Sequence, residues 1–523
     1  MGVMLRPLAA GLALLGLLAL AGSPASAEGD AYAGLVKEFV PGVSAHAEPI
    51  GRVGLVTRLS GYDNPDGAKL LVAGLAALVD RLDRDLLNYE SLRKRYDEVN
   101  VPLDVAKDDY KTRTELQNRL AEEDQRQRDD AKVLEAIRNA MTKYQDTQAL
   151  SMLTGEIRRL KAWRAREVGA EGLAANAGGM EAAIRMGREK DDRVAAAVLR
   201  GLRGRNENPV FEFARDSLKS ESWPVRLEAA MTLEKVNQPR IIPPLIEALS
   251  REDGRLRDDI RDCLRRLTSQ NYDSDPEQWR LWWVENKPSL EGNNPTTALF
   301  GAFKGKTAPP DKKSVYGIET RSRKILFIID TSGSMKEPIT KAKGTPTGLS
   351  ADQLEEYTMT KIDLAKRELK RAIRALEPDA TFNIVSFGSN VATWKPKAVK
   401  GDMTTRNEAL AFVNDMEAAG GTWAYGAFQE AFRLAGMGAL DRYYDPTMDT
   451  IYFISDGAPT NNDMDKPEAI DPETLLAAVR EWNKLGKLRI HAIAVDPRAA
   501  GGKFIDFMKK LAAQNEGQYT ERD

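Results

Sequence analysis

Apolar positions recur with two periods along this chain. From Lys324 to Asp330 the sequence runs Lys-Ile-Leu-Phe-Ile-Ile-Asp, a continuous apolar stretch ending in an acid. Its length and branched residues predict a central strand of a parallel sheet, covered on both faces. Thr381–Phe387, Thr450–Ser455 and Leu488–Val495 read the same way. Between and after them the period changes to three and four residues. Ile362, Ala365, Leu369, Ile373 and Leu376 make one helical stripe, and 406–416, 426–434, 472–485 and 504–514 make others. Strands alternating with helices predict a doubly wound, Rossmann-like α/β sheet over 318–523. Such sheets meet ligands at the carboxyl ends of their strands.

Upstream, the helical period stands alone. Val53, Val56 and Leu59 form one stripe and Leu70, Leu71, Leu75 and Leu78 the next, with the turn signal Asn64-Pro65-Asp66-Gly67 between them. Beyond Asp80 charges crowd the sequence, so 28–165 is expected as long solvated helices, with an antiparallel coiled-coil hairpin as one arrangement. Strict heptads are not sustained. Over 178–287 the pattern repeats: Val194, Val225 and Leu256 stand 31 residues apart, as do Val198, Ala229 and Ile260, and Leu202, Leu233 and Leu264. A helix pair of that length buries its apolar face only against neighbouring copies. The segment Trp223-Pro-Val-Arg-Leu-Glu-Ala-Ala-Met-Thr-Leu resembles the first helix of a HEAT repeat, and Ile242-Pro-Pro-Leu-Ile-Glu-Ala-Leu the second. The resemblance implies an α-solenoid, making the whole amino-terminal part all-α. Trp279, Trp282 and Trp283 are expected to close its end, and 288–317 reads as a linker.

The first 27 residues read as an address. Arg6 precedes a Leu/Ala-rich run of 16 residues, Pro7 to Gly22, and then Ala25-Ser-Ala27. That order is a secretory signal peptide cut after Ala27. An uncleaved anchor is the alternative, but a spanning helix needs ~20 apolar residues. After cleavage no later run is long enough to span a membrane, so a periplasmic, cell-envelope or extracellular location is expected.

Composition narrows the chemistry. With 76 basic and 78 acidic residues there is no overall basic field, and nucleic acid is not an expected partner. One Cys and two His rule out a disulfide framework, a CxxC pair and an HExxH zinc centre. What remains is chemistry of carboxylates, hydroxyls and hard cations.

Such groups gather at the predicted strand ends. Asp330-Thr-Ser332-Gly-Ser334 leaves the first strand, Gly420-Gly421-Thr422 starts a helix, and Asp456-Gly457 follows Thr450–Ser455. Singly, each has a plain explanation as a cap or turn. Together, in this order, they resemble the metal-ion-dependent adhesion site of von Willebrand factor type A domains, and Phe382-Asn-Ile-Val-Ser-Phe-Gly388 is similar to that family's second strand. The resemblance implies direct ligation by Ser332 and Ser334. It implies that Thr422 ligates directly or through water, and that Asp330 and Asp456 act through hydrogen bonds and waters. The implied cofactor is a divalent cation, Mg²⁺ ahead of Mn²⁺ or Ca²⁺, and the implied partner a protein presenting Asp or Glu. Glu337 is expected at the rim. Trp423 and Tyr425 either join that rim or pack beneath the loop. Asp379 and Asp402 read as turn residues.

The expected function is therefore a non-enzymatic binding or scaffold protein. One alternative is an envelope scaffold in which the ion only stabilises. Another is a metal-dependent hydrolase, since an acid after an apolar strand superficially resembles haloacid-dehalogenase-like phosphatases. That family needs a second Asp where Ser332 stands, and His491 falls inside a predicted strand.

Overall fold

The computed structural model describes residues 27–98, 107–236, 238–290, 314–319, 321–339, 359–437, 446–460, 468–483, 486–497 and 501–522. Residues 1–26, which hold nearly all of the segment read as a signal, most of the segment read as a linker, and residues 340–358 lie outside the described residues. Two compact units emerge: residues 1–248 with 280–301, and 249–279 with 302–523.

In the first unit all regular structure among the described residues is helical: α1 (Ala27–Val43), α2 (Pro49–Leu59), α3 (Pro65–Glu98), α4 (Lys107–Met141), α5 (Thr147–Arg159), α6 (Trp163–Ala175), α7 (Met180–Gly187), α8 (Asp192–Gly201), α9 (Asn208–Ser217) and α10 (Trp223–Val236). The predicted stripe of α3 is buried at Leu70, Leu71, Leu75 and Leu78. Of the repeat positions, Val194, Val198 and Leu202 are buried on or beside α8, and Val225, Ala229 and Leu233 on α10. Composition did not announce a ladder of ions linking alternate helices, α4, α6, α8 and α10. Glu171 accepts from Arg138 of α4 at 2.5 Å and faces Arg200 of α8 at 3.4 Å. Arg200 reaches on to Glu228 of α10 at 3.2 Å, which also pairs with Arg203. Arg200, Glu171 and Glu228 are all buried, so each charge depends on its partners.

α11 (Ile242–Arg251), α12 (Gly254–Thr268) and α13 (Pro276–Leu290) follow. Trp279 is fully buried, edge-on to Tyr272 and donating to the Asp273 carbonyl, while Trp282 and Trp283 stay half-buried. One tryptophan, not a cluster of three, fills a core.

In the second unit the hairpin β1 (Ser314–Val315) and β2 (Ile318–Glu319) precedes a mixed sheet. Its members are β3 (Lys324–Asp330), β4 (Thr381–Phe387), β5 (Val391–Thr393), β6 (Val399–Lys400), β7 (Thr450–Ser455), β8 (Arg489–Val495) and β9 (Tyr519–Arg522). The order is β5-β4-β3-β7-β8-β9, with β6 also on β4. β3, β4, β7, β8 and β9 run parallel; β5 and β6 are antiparallel. Helices α14 (Lys361–Ala375), α15 (Met403–Asn414), α16 (Ala424–Phe432), α17 (Pro472–Trp482) and α18 (Gly502–Gln514) cover both faces. On β3, Ile325, Phe327 and Ile329 pack with α14 and α15, while Leu326 and Ile328 pack with α16 and α17. The doubly wound α/β expectation holds. β3 lies between β4 and β7, so the winding reverses there, and the crevice at its carboxyl end is where such sheets bind.

α12 belongs to this unit and meets it through charge. Arg489 at the start of β8 pairs with Asp259 and, at 3.2 Å, with Asp262. Arg255 donates to the carbonyls of Asp449 and Gly486 at 3.1 and 2.7 Å. Asp258 accepts from the Arg321 amide at 2.8 Å. Burial works against the Arg489 charge, but Asp259, Asp262 and Asp258 hold its pKa above the ordinary arginine value. His491, next but one, is buried, accepts at Nδ1 from the Gln518 amide at 3.0 Å and stacks on Tyr452. Burial and the charges of Arg489 and Arg255 push its pKa down to about 3, so the ring is neutral at ordinary pH.

Removing one partner from such a network strands a buried charge. Asp259→Ala should therefore cost about 3 kcal/mol, read as lost hydrogen-exchange protection along β8 in the full chain. A change no larger than a surface salt bridge gives, under about 1 kcal/mol, would contradict the role assigned to this contact.

Candidate metal centre

β3 carries Asp330 to the carboxyl edge of the sheet, and β7, its parallel neighbour, carries Asp456 one residue past its end. Both side chains are buried. Asp330 is held on both oxygens: the Ser332 amide donates to Oδ1 at 2.7 Å and Ser455 Oγ donates to Oδ2 at 2.5 Å. The chain then turns into a short 3₁₀ segment, Gly333–Lys336. This puts Ser332 Oγ 3.1 Å from Ser334 Oγ, and Ser334 Oγ donates to Asp456 Oδ1 at 2.9 Å.

The loop before α16 is tied to the same edge. The Gly333 amide donates to the Gly420 carbonyl at 2.9 Å, and the Ala419 amide to the Thr331 carbonyl at 2.7 Å. Gly420 has φ +74°, and a Cβ there would stand 2.6 Å from Ser389 Oγ, so only glycine fits. Ser389 Oγ accepts from the Gly421 amide at 2.8 Å. Thr422 is buried; its amide donates to Thr460 Oγ1 at 2.7 Å, and its carbonyl accepts from the Thr460 amide at 2.9 Å.

The sequence-predicted groups are thus brought to one edge, with exceptions at the rim. Glu337 is exposed and reaches Lys361 Nζ at 2.7 Å. Trp423 is half-buried at the start of α16. Tyr425 is half-buried: its ring meets Trp482 edge-on at 5.2 Å and lies against the core, as the packing alternative expects. Asp402 is more than a turn residue, since its carboxylate caps α15 by accepting from the Thr405 amide at 2.9 Å. Asp379 pairs with Arg323 at 3.0 Å.

Ser455, Ser389, Thr460 and Lys361 complete the site without having been singled out. Lys361 had a visible signal. Four residues before Ala365 and eight before Leu369, it puts a charge on the buried stripe of α14. The Thr360–Asp363 capping box starts the helix there, and the ammonium ends 3.0 Å from Asp456 Oδ2, with its side chain 3% exposed.

The donor set suits a small hard cation. Ligands ~2.0–2.1 Å from Mg²⁺ at right angles stand about 2.9 Å apart, close to the 3.1 Å between the two serine oxygens. Among the described residues no three His, Cys, Asp or Glu side chains form a cage.

Two buried acids side by side are costly. Burial first, and the charge of Asp456 second, push the Asp330 pKa up to about 7. In chelator the native state then keeps a proton that the unfolded chain releases near pH 4. The folded form binds more protons in that window, so stability should fall as pH rises from about 4 to about 7. Asp330→Asn mimics the protonated acid and should flatten this slope. Thermal unfolding in EDTA across pH checks it, and an unchanged slope in the Asn variant refutes the assignment.

Comparison with known proteins finds two family-level similarities. A von Willebrand factor type A domain model matches residues 353–520, a span that takes in Thr422 and Asp456 and begins after Ser334; a HEAT repeat model matches 181–265. The chain is 26% identical over 144 residues to inter-alpha-trypsin inhibitor heavy chain H4 of Bos taurus, 27% of this chain and 13% of that protein. Against the Homo sapiens protein of the same name it is 25% identical over 145 residues, 28% and 13% of the two chains. The chain thus matches only a small part of these relatives' length. Among solved structures, a von Willebrand factor type A protein from Catenulispora acidiphila shares 20% identity over 39% of this chain and 40% of that one, with a TM-score of 0.27. An aerotolerance-related membrane protein from Bacteroides fragilis shares 14% over 38% and 90%, with a TM-score of 0.26. Residues 353–520 are thus similar to von Willebrand factor type A domains, and residues 181–265, before them, to HEAT repeats.

Proposed function

We propose that this is an exported, non-enzymatic binding protein whose type A domain holds a partner's Asp or Glu through a divalent cation, Mg²⁺ before Mn²⁺ or Ca²⁺. The observation that carries the reading is the hydroxyl pair of Ser332 and Ser334, spaced as neighbouring ligands and hydrogen-bonded onward to Asp456. Ser332 and Ser334 would hold the ion with Thr422, while Asp330 and Asp456 orient the hydroxyls and supply the charge. The bound ion supplies electrostatic attraction for a carboxylate. Because its nearest protein ligands are neutral, that attraction stays strong. Glu337 and Trp423 flank the approach.

The leader-like sequence of 1–27 supports placing this binding in the periplasm, cell envelope or outside the cell. No helix of the described residues is long and apolar enough to cross a membrane. The HEAT-like repeats and the long amino-terminal helices serve as scaffold and second interaction surface.

Cross-linking capture from the native host tests this. Partner recovery should fall at least tenfold in EDTA and in Ser332→Ala, and Mg²⁺ should raise the melting temperature of the wild type only. Undiminished capture by the Ser332→Ala protein in EDTA would refute cation-bridged binding. A Mg²⁺-dependent melting temperature with unaltered capture would assign the ion a stabilising role alone.

A further inference from the structure

Lys361 has no part in the ligand set, yet among the described residues its ammonium pairs directly with Asp456 of that set. Its Nζ lies 3.0 Å from Asp456 Oδ2 and 2.7 Å from Glu337 Oε2. Lys361 and Asp456 are 3% and 1% exposed, whereas Glu337 is 61% exposed. The lysine opens α14, where the positive end of the helix disfavours a cation. Its position is therefore maintained by the two carboxylates.

Asp456 divides its oxygens. Oδ1 accepts from Ser334, on the hydroxyl side, and Oδ2 accepts from Lys361. A cation beside Ser334 and the ammonium of Lys361 thus draw on one carboxylate from opposite sides. Glu337 is fixed by its backbone, its amide donating to the Ser334 carbonyl and its carbonyl accepting from the Lys361 amide, both at 3.0 Å. Its carboxylate is a second acceptor within reach of the same ammonium.

We propose that Lys361 sets the affinity of this site: it shares Asp456 with the divalent cation and keeps Glu337 as its remaining partner when the ion binds. The inference rests on the reading that a divalent cation binds here. Without the ion, Lys361 keeps Asp456 neutralised and the site assembled. With the ion, repulsion between like charges weakens the Lys361–Asp456 contact and leaves Glu337 as the ammonium's partner. Lys361 is thus a positioning residue, which keeps the site ready while lowering its grip on the metal.

Mn²⁺ titration of the full chain by calorimetry tests this. Lys361→Met should bind Mn²⁺ at least about tenfold tighter than wild type, as expected when a close like charge is removed. Lys361→Arg should stay near wild type. Glu337→Gln should weaken binding several-fold in the wild-type background and have no effect in the Lys361→Met background, because Glu337 acts through Lys361. Unchanged or weaker binding by a folded Lys361→Met protein overturns the proposal. So does an equal Glu337→Gln loss in both backgrounds, since that is what a merely attractive rim charge would give. If Lys361→Met does not fold, Lys361→Gln carries the same cycle. Mn²⁺ binding to none of these proteins, wild type included, instead refutes the metal reading itself, and this inference falls with it.

Discussion

Two buried carboxylates at the ends of neighbouring parallel strands are the constraint on which this domain turns. Asp330 and Asp456 stand side by side because β3 and β7 pair in parallel register, and the sheet gives neither side chain a route to water. Such a pair must protonate, find positive charge, or both. The raised pKa of Asp330 is the first response and Lys361 the second. The surrounding loops follow from the same demand. Ser332, Ser334 and Ser455 bring donors to the acids, and the glycine at 420 lets the third loop close over them. The divalent ion proposed for this edge would add positive charge without adding another buried side chain.

Elsewhere the chain solves a similar problem without a metal. Arg489 against Asp259 and Asp262, and Arg200 between Glu171 and Glu228, are buried charges satisfied by other side chains. These contacts are rigid because breaking either partner strands the other. At the candidate centre the charges are arranged differently. One acid shares its two oxygens between a hydroxyl and an ammonium, and the ammonium has a second, exposed carboxylate within reach. That arrangement gives the ammonium two carboxylate partners at once.

Much of this was legible in the amino-acid order. The apolar runs at 324–330, 381–387 and 450–455 became central strands because strands covered on both faces must be apolar on both. The 31-residue spacing became buried helical positions, because stacked helices repeat their contacts at the repeat length. Asp330, Ser332, Ser334, Thr422 and Asp456 come to one edge because each follows an element whose end the pattern locates. The parts not legible are those made by long-range pairing. Ser455 and Thr460 look like ordinary hydroxyls until β7 is laid beside β3. Tyr425 could join the rim or pack beneath its loop on sequence alone, and its contact with Trp482 of α17 depends on long-range pairing. The contacts of α12 with β8 join residues more than two hundred positions apart, and no local period records them.

The central claim is that a hard cation sits on the Ser332–Ser334 pair. Anomalous diffraction from Mn²⁺-loaded crystals tests it most directly. The result expected is a single strong peak ~2.0–2.2 Å from both serine oxygens, with Asp330 and Asp456 contacting it through hydroxyls or waters. No peak at this edge at saturating Mn²⁺, or a peak held by carboxylates elsewhere in the domain, would contradict it.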